Sequence, residues 1–163
     1  MLHVALIVLH ASFATIAFGI GCSLMVSPPR SVRSARFLSY YVSVMAAVAL
    51  LLAVVFVDWD GLPVVERIAF GLLCLLALYL ALRTEQARTT LARARARWRT
   101  RFAGHIGFVL ISLFDGFCIV SAIDLHLPPV VIALSAVLGV VAGILAIRRV
   151  AKREARADRA AST

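Results

Sequence analysis

Polar sequence is what this chain lacks most. Of its 163 residues 63% are apolar, and the mean hydropathy is +0.99. A soluble globular domain is about half apolar, so there is too little polar sequence here to cover one solvated surface. No polar segment is long enough to bury a core of its own. Cysteine is sparse: Cys22, Cys74 and Cys118 fall in three different apolar stretches, and none has a CxxC partner. That implies neither a disulfide framework nor a Cys-based metal site and reads as small apolar packing residues. No nucleophile–base constellation, phosphate-binding Gly loop or metalloprotease motif occurs, so no catalytic residue and no metal ligand is assigned. An internal duplication, the common plan of secondary transporters, is also missing. The first apolar stretch has no basic n-region and is too long for a signal h-region, so it reads as a retained span.

What is present is a set of five apolar stretches. They run over about residues 2–26, 37–57, 64–82, 102–123 and 129–147. Each is near the twenty or so residues that cross a hydrocarbon core of about 30 Å. In lipid the backbone must satisfy its own hydrogen bonds, so the stretches are expected to be helices. The punctuation agrees. Pro28-Pro29 closes the first, Asp60-Gly61-Leu62-Pro63 makes a tight turn, and Pro128-Pro129 opens the fifth. The expected fold is all-α, an integral membrane bundle of five transmembrane helices. Residues 1–150 form one domain and 151–163 a basic tail that continues the last helix briefly and then frays.

Charge fixes an expected orientation. All but one of the 17 Lys and Arg residues fall in alternate gaps: Arg30, Arg33 and Arg36, then Arg83 to Arg101, then Arg148 to Arg159. The other gaps hold Asp58, Asp60, Glu66 and Asp124, with Arg67 the exception. Basic loops stay cytoplasmic, so the N-terminus is expected outside and the C-terminus inside, in the plasma (bacterial inner) membrane. The net charge of +9 then reads as topology and contact with anionic headgroups, not as nucleic-acid binding. The segment 83–101 is expected to extend the third and fourth helices towards those headgroups.

Small residues mark packing faces. Ser135, Gly139 and Gly143 recur every four residues in the fifth span, as do Ala17/Gly21 and Gly19/Ser23 in the first. Such spacing lets helix backbones approach closely. Asp115, near the middle of the fourth span, is the costliest residue to place in lipid and is expected to face the bundle interior, find a partner or be protonated. It lies about eight residues, roughly 12 Å, from the outer end of its span, and His10 is at a similar depth in the first. His10, Ser112 and Asp115 are therefore the expected intramembrane polar site, as a proton site, a ligand contact or a structural interhelical hydrogen bond. His105, Ser112 and Asp115 share an arc of about 80°. His105 lies about 5 Å inside the inner boundary, at the depth of Tyr40, Tyr41 and Tyr79. These four form an expected inner polar cluster or a belt of interfacial anchors. A b-type haem needs two level imidazoles. His10 and His105 lie in opposite halves, so no cofactor is expected and haem b is kept only as an alternative.

The order of features resembles a group of small bacterial multi-pass membrane proteins grouped as a domain of unknown function. The likeness rests on Leu9-His10 followed by Phe18-Gly19, Arg36 leading to Tyr41-Val42, His105-Ile106-Gly107 with Ser112 and Phe117, Leu127-Pro128-Pro129, and Arg148-Arg149. Members often carry a further His in the first basic loop, where this chain has Ser31-Val32-Arg33-Ser34. The resemblance implies the five-helix plan and points to His10 and His105.

Three functions remain open at this level. One is a non-enzymatic accessory or interaction subunit that packs against other helices or lipid, as a homo-oligomer or in a larger membrane complex. The second is a small proton-coupled carrier or permeation unit using Asp115 and His10. The third is a membrane haem or quinone redox protein.

Overall fold

The computed structural model describes residues 2–61, 64–94 and 97–125, and beyond them 130, 134, 137–141, 143–145, 147–150 and 152 (backbone only at 58, 65, 66, 69 and 119–124). Among these residues there is no strand. Helix α1 spans Leu2–Val26, α2 Ala35–Asp58, α3 Val64–Arg93 and α4 Trp98–Asp124, with one 3-10 turn, Trp59–Gly61, after α2. The described positions 137–141, 143–145 and 147–150 belong to a fifth helix, α5. Among the described residues, four helices are long and apolar enough to cross a membrane. The Pro128-Pro129 start of the fifth span, Ser135 and the tail 153–163 lie outside the described residues.

The helix ends follow from local chemistry. α1 stops before Pro28-Pro29, and its last bond runs from Ser27 N–H to the Ser23 carbonyl at 3.0 Å. Proline cannot donate the next bond and biases the preceding residue away from helix. Ser34 precedes α2 with extended backbone, and its carbonyl accepts from Leu38 N–H at 2.9 Å. α3 runs eleven residues past Leu82, where the apolar stretch ends. Its 30 residues make a rod of about 45 Å, longer than a hydrocarbon core of about 30 Å. The reason is that eight of the eleven residues of Arg83–Arg93 are Arg, Ala, Leu, Glu or Gln, all strong helix formers. The reversal into α4 uses left-handed backbone at Ala94 (φ 40°) and Arg97 (φ 59°).

Neighbours in sequence are neighbours in space. α1 packs on α2, α2 on α3, α3 on α4, and α4 closes back on α1, an up-and-down bundle. α5 lies against α4: a Cβ at Gly143 would strike Ile111, one at Gly107 would strike Ile147, and one at Gly139 would strike Asp115. The Gly139/Gly143 face is therefore used within the chain. In α1 the two expected faces separate. Ala17 is fully buried, and a Cβ at Gly21 would come 2.7 Å from Leu110 and 3.0 Å from Tyr40. Gly19 meets nothing within 4 Å and faces outward.

The tightest core sits at the end carrying Arg30, Arg33, Arg36 and the α3–α4 turn, here called the basic end. Phe37, Tyr40, Leu24, Ala87, Leu91, Phe102 and Ile106 are all buried there. The Phe37 and Phe102 rings meet across the bundle at 5.9 Å, and Trp98 packs edge-on against Phe102 at 6.3 Å. In lipid, apolar burial gives little drive for association, so close backbone approach and shape decide the packing. Gly21→Val should cost about 1–3 kcal/mol by overpacking and lower the melting temperature in detergent. Gly19→Val should leave it within about 0.5 kcal/mol. Equal melting of the two variants would show that α1 does not pack through Gly21.

Candidate functional site

The polar residues expected inside the bundle occupy two separate places. In the first, Asp115 Oδ1 lies against the bare backbone of Gly139, at the crossing of α4 and α5. That oxygen is buried and has no hydrogen-bond partner among the described residues. Leaving a buried acceptor unmade costs about 1–3 kcal/mol, so the position is a destabilising one that any incoming donor relieves. Ser112, one turn earlier on α4, is half-buried.

His10 does not join Asp115. Its Nδ1 is 2.8 Å from the Ala47 carbonyl of α2. The register of α1 against α4 explains why. Gly21 sits on Leu110, and Phe18 stacks on Phe114 with ring centroids 6.3 Å apart. Asp115 is thus level with the residue beside Phe18, and His10 lies about 10 Å further along the axis. Depth counted from the ends of the apolar stretches assumes that all helices end at one plane. α1 and α4 do not, because packing at Gly21 offsets them. The same register puts His10 and His105 about 25 Å apart along the axis, too far to ligate one haem between them. Among the described residues no group of three or more His, Cys, Asp or Glu converges. An outer metal site from His3, His126 and Asp124, which the sequence also allows, falls largely outside the described residues, since the side chain of Asp124 and all of His126 lie beyond them.

The second place is the basic end, where the expected tyrosine–histidine cluster divides in two. Tyr41 donates to Glu85 Oε2 at 3.1 Å, and Glu85 holds Arg88 through two oxygens, with N···O distances of 2.6–2.9 Å. Arg88 also lies 6.0 Å from the Tyr41 ring centroid. Tyr40 is fully buried beside Thr84, and its hydroxyl has no well-formed hydrogen bond. Thr84 donates instead to the Leu80 carbonyl at 2.9 Å. Tyr79 turns the other way and packs edge to face on Phe108 at 5.1 Å, with the Arg83 guanidinium over both rings. His105 Nδ1 is buried nearby without a partner.

Sequence reasoning missed Arg83, Thr84, Glu85 and Arg88 as site residues. They stand past the apolar stretch, in the segment expected to extend the helices towards the headgroups, where charged side chains read as headgroup contacts. The available signal was the helical spacing of Arg83, Ala87 and Leu91 and of Thr84, Arg88 and Leu91, which continues the α3 faces.

If Asp115 served only to hold α4 on α5, its loss would destabilise. An orphaned oxygen is instead a cost carried by the fold. Asp115→Ala should therefore leave the melting temperature in detergent unchanged or raise it, by a gain of up to about 1 kcal/mol. A fall of several degrees would assign the residue a structural role.

Comparison with family models, curated protein sequences and solved structures finds no match to this chain.

Proposed function

We propose that this protein is a non-enzymatic integral membrane protein of the bacterial inner membrane, an accessory subunit that packs against lipid and against helices of other chains. One observation carries the interaction role. On α1, Ser12, Thr15, Gly19 and Cys22 are all exposed, within an arc of about 80°. That arc lies opposite the buried Ala17, Gly21 and Leu24. Ser12 and Thr15 spend their hydroxyls on the Val8 and Ala11 carbonyls at 2.8 Å. The face is small, smooth and free of orphaned donors, which suits close approach by another helix. The remaining surface is large and apolar, with Leu72, Leu75, Leu78, Phe56 and Phe117 exposed, and suits lipid.

The orientation supported by the charge distribution is N-terminus outside and basic end cytoplasmic. Arg67, the exception, donates to the Asp60 carbonyl at 3.1 Å and so lies against the α2–α3 turn. Reporter fusions after Gly61 and after Ala94 test this. An exported-active reporter should work only at Gly61 and a cytoplasm-active one only at Ala94, and the reverse pattern would overturn the orientation.

Cys22 reports on the α1 face. Mild oxidation of native membranes should cross-link the chain through Cys22 to a second copy or a partner subunit. Gly19→Leu should reduce the cross-link at least about five-fold while the melting temperature holds, since about 1 kcal/mol of lost helix–helix contact corresponds to that factor. Cross-linking unaffected by Gly19→Leu would remove the face from the proposal.

A second reading rests on the orphaned Asp115 oxygen, namely a small proton-coupled permeation unit that uses Asp115 without His10. Reconstituted vesicles should then show a proton flux that Asp115→Asn abolishes. Equal flux in both would eliminate it.

A further inference from the structure

Arg83 is the first charged residue after the long apolar run of α3. Its guanidinium leaves α3 and crosses onto α4, 5.4 Å from the Phe108 ring centroid and 5.9 Å from that of Tyr79. Nη2 donates to the Gly104 carbonyl at 3.3 Å and Nη1 to Gln86 Oε1 at 3.4 Å. Both bonds are long for N–H···O, and both acceptors are neutral. Among the described residues, the buried Nε has no acceptor and the buried His105 Nδ1 has no partner. Glu85, the nearest acidic residue in sequence, is taken by Arg88. No carboxylate pairs with Arg83 among the described residues. Arginine cannot shed its charge by deprotonating, so a half-buried guanidinium in this position calls for an anion.

There is room for one. Gly104 has no side chain, and a Cβ there would find no atom within 4 Å. That leaves an open patch, here called the notch, where the bare Gly104 backbone of α4 adjoins the Arg83 guanidinium. We propose that this notch binds the phosphate of an anionic phospholipid. The proposal rests on the reading of the basic end as the headgroup-facing, cytoplasmic end. An oxyanion seated over Gly104 meets the Nη edge of Arg83. The guanidinium exchanges its two long bonds for short charge-assisted ones and turns its Nε donor to the same anion, a planar fork that matches phosphate. The Tyr79 and Phe108 faces keep the cation at that level while it turns. The acyl chains run along the exposed leucines of α3. Basic sites between membrane helices at the cytoplasmic side hold headgroups in this way.

The test uses the purified full chain in detergent micelles mixed with phosphatidylglycerol and phosphatidylcholine, with retained lipid counted by native mass spectrometry. The expected result is a single phosphatidylglycerol held in preference to phosphatidylcholine. Arg83→Gln should lower that retention at least about five-fold, the value of one surface cation to an anionic lipid. Gly104→Leu, which fills the notch and keeps every charge, should lower it equally. Arg93→Gln, on the exposed last turn of α3, should not. Circular dichroism reports folding, and if Arg83→Gln fails to fold, Gly104→Leu decides. Unchanged retention in Gly104→Leu, or equal losses in Arg83→Gln and Arg93→Gln, would overturn the site in favour of diffuse attraction. Displacement of the lipid by inorganic phosphate alone would overturn the lipid as the source of the anion. The reporter fusions separate the two levels. A reversed orientation with lipid still lost in both notch variants removes the orientation and keeps the phosphate site, and the expected orientation with lipid retained removes only the site.

Discussion

The approach of α1 to its neighbours at Gly21 is the contact on which the rest of the bundle depends. Glycine there brings the α1 backbone against Leu110 of α4 and the Tyr40 ring of α2 at once. That one contact sets the axial register of three helices. Phe18 then falls on Phe114, and the aromatic core of Phe37, Tyr40 and Phe102 closes below it. Within lipid there is little hydrophobic reward for bringing apolar helices together. Shape at a few small residues must do what burial does in water.

The same register distributes the polar groups. Asp115 is placed opposite Gly139 and away from His10, which spends its ring nitrogen on the Ala47 carbonyl. The basic end separates into one satisfied network, Tyr41–Glu85–Arg88, and one unsatisfied neighbourhood around Arg83 and His105. The contrast matters because a satisfied network rigidifies, whereas orphaned donors and acceptors are costs that natural proteins keep mainly where a ligand or proton relieves them.

Much of the architecture was legible in the chain. α1 and α3 lie along apolar stretches, as expected, because a helix satisfies its own backbone hydrogen bonds in lipid. The extension of α3 past Leu82 was expected from the sequence, but its end at Arg93 was not legible. Arg83–Arg93 has strong helix propensity, and burial of Ala87 and Leu91 holds it against the bundle. The small-residue spacing identified Ala17/Gly21 and Gly139/Gly143 as packing faces but could not say that Gly19 points outward. Two glycines two positions apart lie on different sides of a helix, and only the neighbours reveal which side is inside. The proposed pairing of His10 with Asp115 failed for a related reason. Depth along each helix is readable from sequence, but the offset between helices is not.

By itself, then, the sequence determined that this chain is an apolar helical protein, roughly where its apolar helices lie, and which end of them is basic. Those are properties of each segment in its own solvent, set by hydrogen-bond satisfaction and transfer free energy. Only the tertiary structure decided which polar atoms meet. It left Asp115 and Arg83 without full partners and turned Gly19 and Gly104 towards open space. Those outcomes depend on sub-ångström fit between helices, and that fit is a property of pairs of surfaces rather than of any one segment.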